Sequence, residues 1–438
     1  MSFKFSAYNF PFEADGEKYI YNIYTTAIAA ADERLYRAVL DSDSDIIDPV
    51  YINDLLNCGI LISKQTDEKA EYRYFYDNAR LYGPADCLSL CFVPSYNCNL
   101  ACPYCIQGSG KLPERISQEG LASVLRFVSN EVETRKKFVP IRRFYMSLYG
   151  GEPTMNAKEL KLFCDEVDAI ARRNDIELSF DMTTNLTLLN DELLELISKY
   201  QIRMQVSIDG TREQHNVRRI FKNGQGTYDL IISNLKLLRE KGLKHLVTIR
   251  LNIDEDNLAS AEEIAETAKE YSDDVYFGFL AQYKGYNDSY GRCISESCYS
   301  AIATAKLNNI VRKLGYVAPT AFGRKAPCAI SAMNKMNVDC HFNVYKCEML
   351  LNQPACSIGK INESGEMVYN ENYYKQMSFS PFLFEKCENC KFLPLCAGGC
   401  PAKGYINAGG NDGEIRKPFC LVDEDSLKVY LKDYVKHL

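Results

Sequence analysis

Two groups of cysteines are spaced for metal chemistry. Cys98, Cys102 and Cys105 read C-x3-C-x2-C directly after an apolar run, CLSLCFV, and Cys387, Cys390, Cys396 and Cys400 read C-x2-C-x5-C-x3-C, with Cys420 following after a gap. Three thiolates can hold three corners of a four-iron cluster and leave the fourth iron open, whereas a tetrahedral zinc site wants a fourth ligand. The chain carries 18 Cys against 4 His. Zinc sites often mix the two residue types and iron-sulfur clusters use mainly thiolates, so the imbalance favours iron. A structural zinc loop or three incidental buried thiols is the alternative for the first group, and a pair of zinc sites for the second.

Three polar motifs follow the first group in order: YGGEPTM at Tyr149 to Met155, TTN at Thr183 to Asn185, and VSIDG at Val206 to Gly210, with Arg219 beyond. A glycine pair lets backbone approach a ligand closely, and an arginine offers a bidentate clamp for a carboxylate. Taken singly, GGEP could be a turn and SIDG a strand end. Together with CNLACPYC, in which Tyr104 is the aromatic of C-x3-C-x-aromatic-C, they make the chain resemble the radical S-adenosylmethionine enzymes. The resemblance implies a [4Fe-4S] cluster on Cys98, Cys102 and Cys105 whose open iron chelates S-adenosylmethionine. One-electron cleavage then gives a 5'-deoxyadenosyl radical, chemistry that belongs to the cofactor. It further implies Gly150, Gly151 and Glu152 at the methionine amino group, Ser207 and Arg219 at its carboxylate, and Asn185 and Asp209 as further contacts. Leu186 stands where relatives usually read Gly.

The second cysteine group, with its CAGGCP tail, resembles the SPASM extension of radical enzymes, which carries two auxiliary iron-sulfur clusters. By analogy, Cys387, Cys390, Cys396 and Cys420 hold the distal cluster, and Cys328, Cys347 and Cys400 the proximal one. Cys340 is the first candidate for the proximal fourth ligand and Cys356 the second; an iron left open for a substrate thiolate is the third possibility. Relatives usually carry Gly five residues before the second proximal Cys, where this chain has Phe342, so the hairpin turn there is open to change. Glu348 directly follows Cys347, and sulfatase-maturating enzymes of the same group have an acid at that position; it is either a base for substrate or a surface or supporting side chain. His215 reads as structural. The remaining Cys58, Cys87, Cys91, Cys164, Cys293 and Cys298 read as small buried hydrophobes, although Cys293 and Cys298 could also face a substrate.

Six apolar strand patterns alternate with amphipathic helices between residues 87 and 281: CLSLCFV, FYMSLYG, LSFDMTT, MQVSID, VTIRLNI and VYFGFLA. Successive βα units predict an α/β fold, a parallel sheet curling into a partial (β/α)6 TIM-like barrel with its site at the strands' C-terminal ends. PSYNCNLACPYC, GGEP, TTN and SIDG all fall on that rim. Residues 1–86 predict a small α+β unit that resembles the winged-helix-like leader-recognition unit of peptide maturases, residues 282–327 a connector, and residues 328–438 the iron-sulfur SPASM domain with a C-terminal helix.

Lys+Arg of 51 against Asp+Glu of 58 leaves a net charge of -7, so no basic surface predicts nucleic-acid binding. No segment reaches membrane-spanning length and no secretory signal is readable, so a cytoplasmic location is expected. Two auxiliary clusters suit net oxidations, and peptides or proteins are the usual substrates of SPASM relatives. The leading expectation is an oxidoreductase that matures a ribosomally made precursor peptide by a thioether or other side-chain crosslink, fed by a low-potential flavodoxin or ferredoxin. An anaerobic sulfatase-maturating enzyme is the near alternative, and a non-catalytic iron-sulfur protein that binds peptide or carries electrons the distant one.

Overall fold

The computed structural model describes residues 2–437 apart from 45–46, 82, 84, 108–113, 281–289, 295–297, 317–325, 409–417 and 421. Most of the expected connector loop, KGYNDSYG, lies outside the described residues, as does the Cys298 side chain.

The N-terminal unit holds β1 (Phe3–Phe5), β2 (Asn9–Ala14), β3 (Glu17–Asn22), β4 (Ile28–Ala31) and β5 (Leu61–Ser63). β2, β3 and β4 form an antiparallel meander, and β1 pairs with β5. Helices Glu33–Asp41, Ile52–Asn57 and Glu68–Leu81 complete it.

The six expected strands all form: β6 (Cys87–Phe92), β7 (Arg143–Leu148), β8 (Glu177–Thr184), β9 (Arg203–Ile208), β10 (Val247–Ile253) and β11 (Asp274–Phe279). Each is parallel to its neighbour in sequence order. The sheet does not stop at β6. β12 (Lys335–Val338) adds parallel to β6, and β13 (Asn343–Tyr345), β14 (Gly359–Ile361) and β15 (Met367–Tyr369) follow antiparallel, giving ten strands in one sheet. The segment expected to begin a separate domain at 328 therefore opens by extending the central sheet. Its strands are only four and three residues long, too short for period-two alternation to identify.

The two faces of the sheet differ in chemistry. Leu88, Leu90, Phe92, Phe144, Met146, Phe180, Met182, Met204, Val206, Ile249 and Leu251 are buried in the main core against Phe127, Phe163, Ile197, Leu235 and Ile264 of the covering helices. Phe92 and Phe163 stack with ring centroids 4.3 Å apart. Because strand side chains alternate, the opposite face carries Cys91, Tyr145, Ser147, Asp181, Gln205, Ser207, Arg250, Asn252 and Tyr276. A parallel sheet covered on both faces reads apolar on both; a polar second face marks a surface kept for a ligand. Among the described residues no helix is long and apolar enough to cross a membrane.

Candidate functional site

The cysteine loop leaves the top of β6 and lies against the turn after β7. Gly151 N donates to Ser95 O at 3.2 Å and Glu152 N to Asn97 O at 2.9 Å. A Cβ on Gly150, whose φ is +142°, would fall 2.4 Å from Ser95 O, and one on Gly151 would fall 2.2 Å from Asn97 O. The glycine pair thus lets two backbones meet, the turn after β7 and the cysteine loop. Glu152 is likewise engaged within the protein. Its side chain is 1% exposed and accepts from Thr154 N, Thr154 Oγ1 (2.7 Å), Thr184 Oγ1 (2.7 Å) and Asn185 N (2.7 Å). Burial pushes its carboxyl pKa up while these donors pull it back. The carboxylate ties the ends of β7 and β8 together beneath the loop.

Asn185 extends that tie. Its amide donates to Asn99 Oδ1 at 2.9 Å and reaches Cys98 Sγ at 3.9 Å, while its oxygen accepts from Thr187. Leu186 takes φ +54°, the left-handed conformation that a glycine would adopt most easily.

On the other side, Tyr104 joins the cysteine loop to the end of β9. Its hydroxyl donates to Asp209 in a short hydrogen bond and accepts from Arg219 Nη1 at 2.9 Å. Asp209, fully buried, also accepts from Asn252 Nδ2 at 2.8 Å. Burial opposes the Arg219 charge, but Tyr104, Cys102 and Asp209 outweigh it and hold its pKa well above the ordinary value. Arg219 Nε is buried without a partner. That orphaned donor, on a charged guanidinium with Ser207 buried nearby on β9, fits a carboxylate ligand of the kind S-adenosylmethionine carries. Cys102 is an electrostatic neighbour of Tyr104 and Arg219, and Cys105 of Tyr149, so the loop's thiols border the same space.

The sequence reading missed the support behind this rim. Arg218, 1% exposed, makes a bidentate pair with fully buried Asp254 at 2.7 Å through both contacts, and Tyr290 also donates to Asp254. Asn257 Nδ2 donates to Asp209 O at 2.8 Å. The available signal was the polar run NIDEDN after β10, the same rim position that made TTN and SIDG legible. His215 is structural as expected: Asp209 N donates to Nδ1 (3.3 Å), and Nε2 meets Thr227 Oγ1 (3.0 Å).

Glu348 lies on the polar face of the sheet. Its carboxylate pairs with Lys335 of β12 at 2.6 Å. It acts electrostatically on Cys91 of β6, Tyr149 after β7 and Asp181 of β8. Burial raises the Tyr149 phenol pKa, and Cys91, Cys105 and Glu348 raise it further, so this side chain neighbours both the cysteine loop and the Cys347 segment. Cys91 is buried as expected of a small hydrophobe, with Glu348 as an electrostatic neighbour.

Among the C-terminal cysteines, electrostatic neighbours are found around Cys387 and around Cys347. Burial, then Cys420, Cys396 and Cys390, push the Cys387 thiol up to about 11. Burial and Glu348, then Cys328 and Cys400, push Cys347 up. The CAGGC turn separates the two sets: Ala397, Gly398 and Gly399 are all left-handed, and a Cβ on Gly399 would fall 1.6 Å from Phe419 O, so the glycine lets the strand carrying Cys420 pass beside Cys396. Cys340, the first candidate for the fourth proximal ligand, sits in the β12–β13 turn, where burial, Asp339 and Glu114 raise its pKa to about 12. Asp339 accepts from Tyr96 Oη at 3.0 Å, which folds this turn over the first cysteine loop. Cys356 is buried in the main core beside Tyr345. Among the described residues, no three Cys, His, Asp or Glu side chains stand ready-made as a metal site; the thiols are near neighbours in sets whose donor chemistry fits clusters.

Comparison with known proteins bears on the first cysteine loop and its sheet. The Radical SAM superfamily model matches residues 92–268. The chain is 23% identical over 351 residues to a cysteine-type anaerobic sulfatase-maturating enzyme of Clostridium novyi, covering 72% of this chain and 87% of that protein. It is 22% identical to the mycofactocin maturase MftC of Mycolicibacterium smegmatis, covering 73% and 79%. Among solved structures it resembles Streptococcus suis SuiB bound to its precursor peptide SuiA, with a TM-score of 0.54 at 14% identity over 96% of this chain and 99% of that one. The motif loop on β6, its ties to β7, β8 and β9, and these matches together place a Radical SAM domain at residues 92–268 of this chain.

Proposed function

We propose that the protein is a peptide-modifying radical enzyme with a SPASM-type C-terminal domain, which abstracts hydrogen from a ribosomally made precursor peptide and joins two of its side chains, as a thioether or another crosslink. The observation that carries the reading is Tyr149, whose phenol has both Cys105 of the first loop and Glu348, next to Cys347, as electrostatic neighbours. Hydrogen abstraction and removal of the second electron and proton would then take place close together. Cys98, Cys102 and Cys105 would hold the first cluster, with Ser207 and Arg219 at the carboxylate of S-adenosylmethionine. Cys387, Cys390, Cys396 and Cys420 would hold one auxiliary cluster, and Cys328, Cys347 and Cys400 the other. Bound there, these groups supply one-electron chemistry and a hydrogen-abstracting radical.

The chain's own residues do the rest. The polar sheet face receives the peptide, and Glu348, held by Lys335, takes the proton released as the substrate is oxidised. Each crosslink would remove a pair of hydrogens from the peptide, one as the atom abstracted and one as a proton taken by Glu348; bound S-adenosylmethionine would supply the abstracting radical and a bound auxiliary cluster the acceptor for the remaining electron. The N-terminal unit would bind the leader segment by strand addition, and a flavodoxin or ferredoxin of low potential would supply the reducing electron.

A second reading, a sulfatase-maturating activity, is favoured by Glu348 lying on the polar sheet face with Lys335. One experiment separates the two. The anaerobically reconstituted protein receives S-adenosylmethionine, a reductant, and either a short peptide encoded beside its gene or a sulfatase-derived peptide. Loss of paired hydrogens from the first peptide, with 5'-deoxyadenosine formed, is the expected result. Modification of the second alone establishes the sulfatase reading, and no 5'-deoxyadenosine from a cluster-loaded, reduced protein overturns both.

A further inference from the structure

Arg250 is a cation on the polar sheet face whose charge the described protein leaves unanswered. It lies at the middle of β10, beside Ser207 of β9 and Tyr276 of β11 in register. Its Nε is buried without a hydrogen-bond partner. Of the other cations on this side of the sheet, Arg218 has Asp254, Lys335 has Glu348, Arg203 has Asp181 as an electrostatic neighbour, and Arg219, whose Nε is likewise unpartnered, faces Tyr104 and Asp209. Among the described residues no carboxylate forms an ion pair with Arg250. Its neighbours are instead Tyr276, to whose hydroxyl it donates and whose ring centroid lies 6.0 Å from the guanidinium carbon, and the Tyr149 phenol, an electrostatic neighbour. Tyr276 itself donates to Gln205.

The opposing strand keeps space for this guanidinium. A Cβ on Gly278 would fall 2.6 Å from Arg250 Nε and 2.8 Å from Nη2, so any larger residue there would displace it. A half-buried guanidinium with an unmet donor carries a desolvation cost that an anionic acceptor removes, and its fork matches a carboxylate in two parallel bonds.

We propose that Arg250 anchors the substrate by a carboxylate, either an acidic side chain beside the residue to be modified or the peptide's own C-terminus. The inference rests on the peptide-modifying reading, which it narrows to substrates with a carboxylate close to the reaction site. Tyr149 is the shared neighbour of Arg250, Cys105 and Glu348, so an anchored peptide would lie across the point where both halves of the chemistry meet.

The test uses reconstituted full-length protein saturated with S-adenosylmethionine and a pool of short random peptides, in free-acid and C-terminal amide forms, with Asp/Glu or Asn/Gln at each position; retained peptides are identified by mass. The wild-type chain is expected to retain carboxylate-bearing peptides about tenfold or more over their amide counterparts, as a charge-assisted pair would give. Loss of preference for acidic side chains and loss of preference for free C-termini distinguish the two sources. In Arg250→Gln the preference should collapse towards one. Gly278→Ala keeps the charge and moves only the flexible end of Arg250, and should weaken the preference severalfold. No preference in the wild-type chain, or a preference intact in both variants, overturns the proposal. So does weaker S-adenosylmethionine binding in Arg250→Gln with peptide selection unchanged, which would give the arginine to the cofactor. Selection by carboxylate without any peptide modification would leave the anchor standing and remove the proposed function.

Discussion

At the scale of single residues, His215 shows how far the rim is fixed before any ligand binds. Nδ1 accepts from the Asp209 amide, so the proton is on Nε2, facing Thr227 Oγ1, which in turn donates to Arg219 O. A second ring proton would have to displace the Asp209 amide in a site with no solvent exposure. Burial, with Arg219 and Arg218 adding to it, lowers the pKa to about 3. An unfolded histidine titrates near 6.5, so below that pH the unfolded chain binds a proton that the folded chain refuses. Stability should be unaffected by this group above about pH 6.5 and should fall as the pH drops from there towards 3, by at most about 1.4 kcal/mol per pH unit. Anaerobic urea unfolding at pH 7.5 and 5.5 checks this: His215→Gln should lose stability overall but show a pH slope smaller by about half a proton averaged over that interval. An unchanged slope would mean that the folded histidine protonates. The motif residues of the rim were legible because their residue types are rare and ordered. Arg218, Asp254 and Asn257 were not, because a buried arginine reads in sequence like any exposed one.

At the scale of elements, the two places where relatives carry glycine keep the glycine conformation with a large side chain in it. Leu186 has φ +54° and Phe342 φ +64°. The hairpin turn at Phe342 therefore keeps its geometry, and packing of the ring offsets the strain. A Cβ on Gly120 of helix Gln118–Arg135 would fall 2.4 Å from Phe342 Cε1 and Cζ, so the ring occupies the space that Gly120 leaves. Gly120→Ala should cost about 1–3 kcal/mol by overpacking. With Phe342→Gly already present, the same substitution should be neutral or stabilising by up to about 1 kcal/mol, since alanine is the better helix former. A double-mutant cycle in urea measures the coupling; additive effects would separate the two residues. For Leu186, buried at 1% exposure, glycine would relieve about 1 kcal/mol of backbone strain but forfeit about 2–5 kcal/mol of packing. Leu186→Gly should therefore unfold at lower urea than the parent chain, the leucine having become part of the core. The six βα units were legible because their alternation runs six to eight residues, while β12 and β13 gave no such signal and their merger with the sheet came only from the structure.

At the scale of the whole molecule, the surface on which the N-terminal unit rests was not legible in the sequence, because packing between distant segments leaves no local periodicity. The unit shares its core with the C-terminal cysteine segment. Tyr8, Phe10 and Phe12 cluster with Leu395, Leu427, Tyr430 and Leu431, and Tyr72 and Tyr76 cluster with Phe382, Leu393 and Cys387. Tyr72 Oη donates to Leu393 O at 3.3 Å, Lys69 Nζ to Asn389 Oδ1 at 2.9 Å and Arg80 Nη1 to Met377 O at 2.6 Å. Removing residues 1–84 would bare Phe382, Leu393, Leu395, Leu427 and Leu431 at once. At roughly 1.5–3 kcal/mol each, that burial is on the order of 10 kcal/mol, comparable with the stability of a whole domain. The shortened chain should therefore aggregate, or fold with the Cys387 set uncovered and iron bound below the full-length level, by size-exclusion chromatography and iron analysis after anaerobic reconstitution. A soluble, monodisperse chain from Ala85 onwards with undiminished iron would make the unit a detachable adaptor. The shared core argues for the opposite arrangement, in which any segment that docks on the N-terminal unit presses, through Tyr72 and Tyr76, on the elements that carry Cys387 and Cys390.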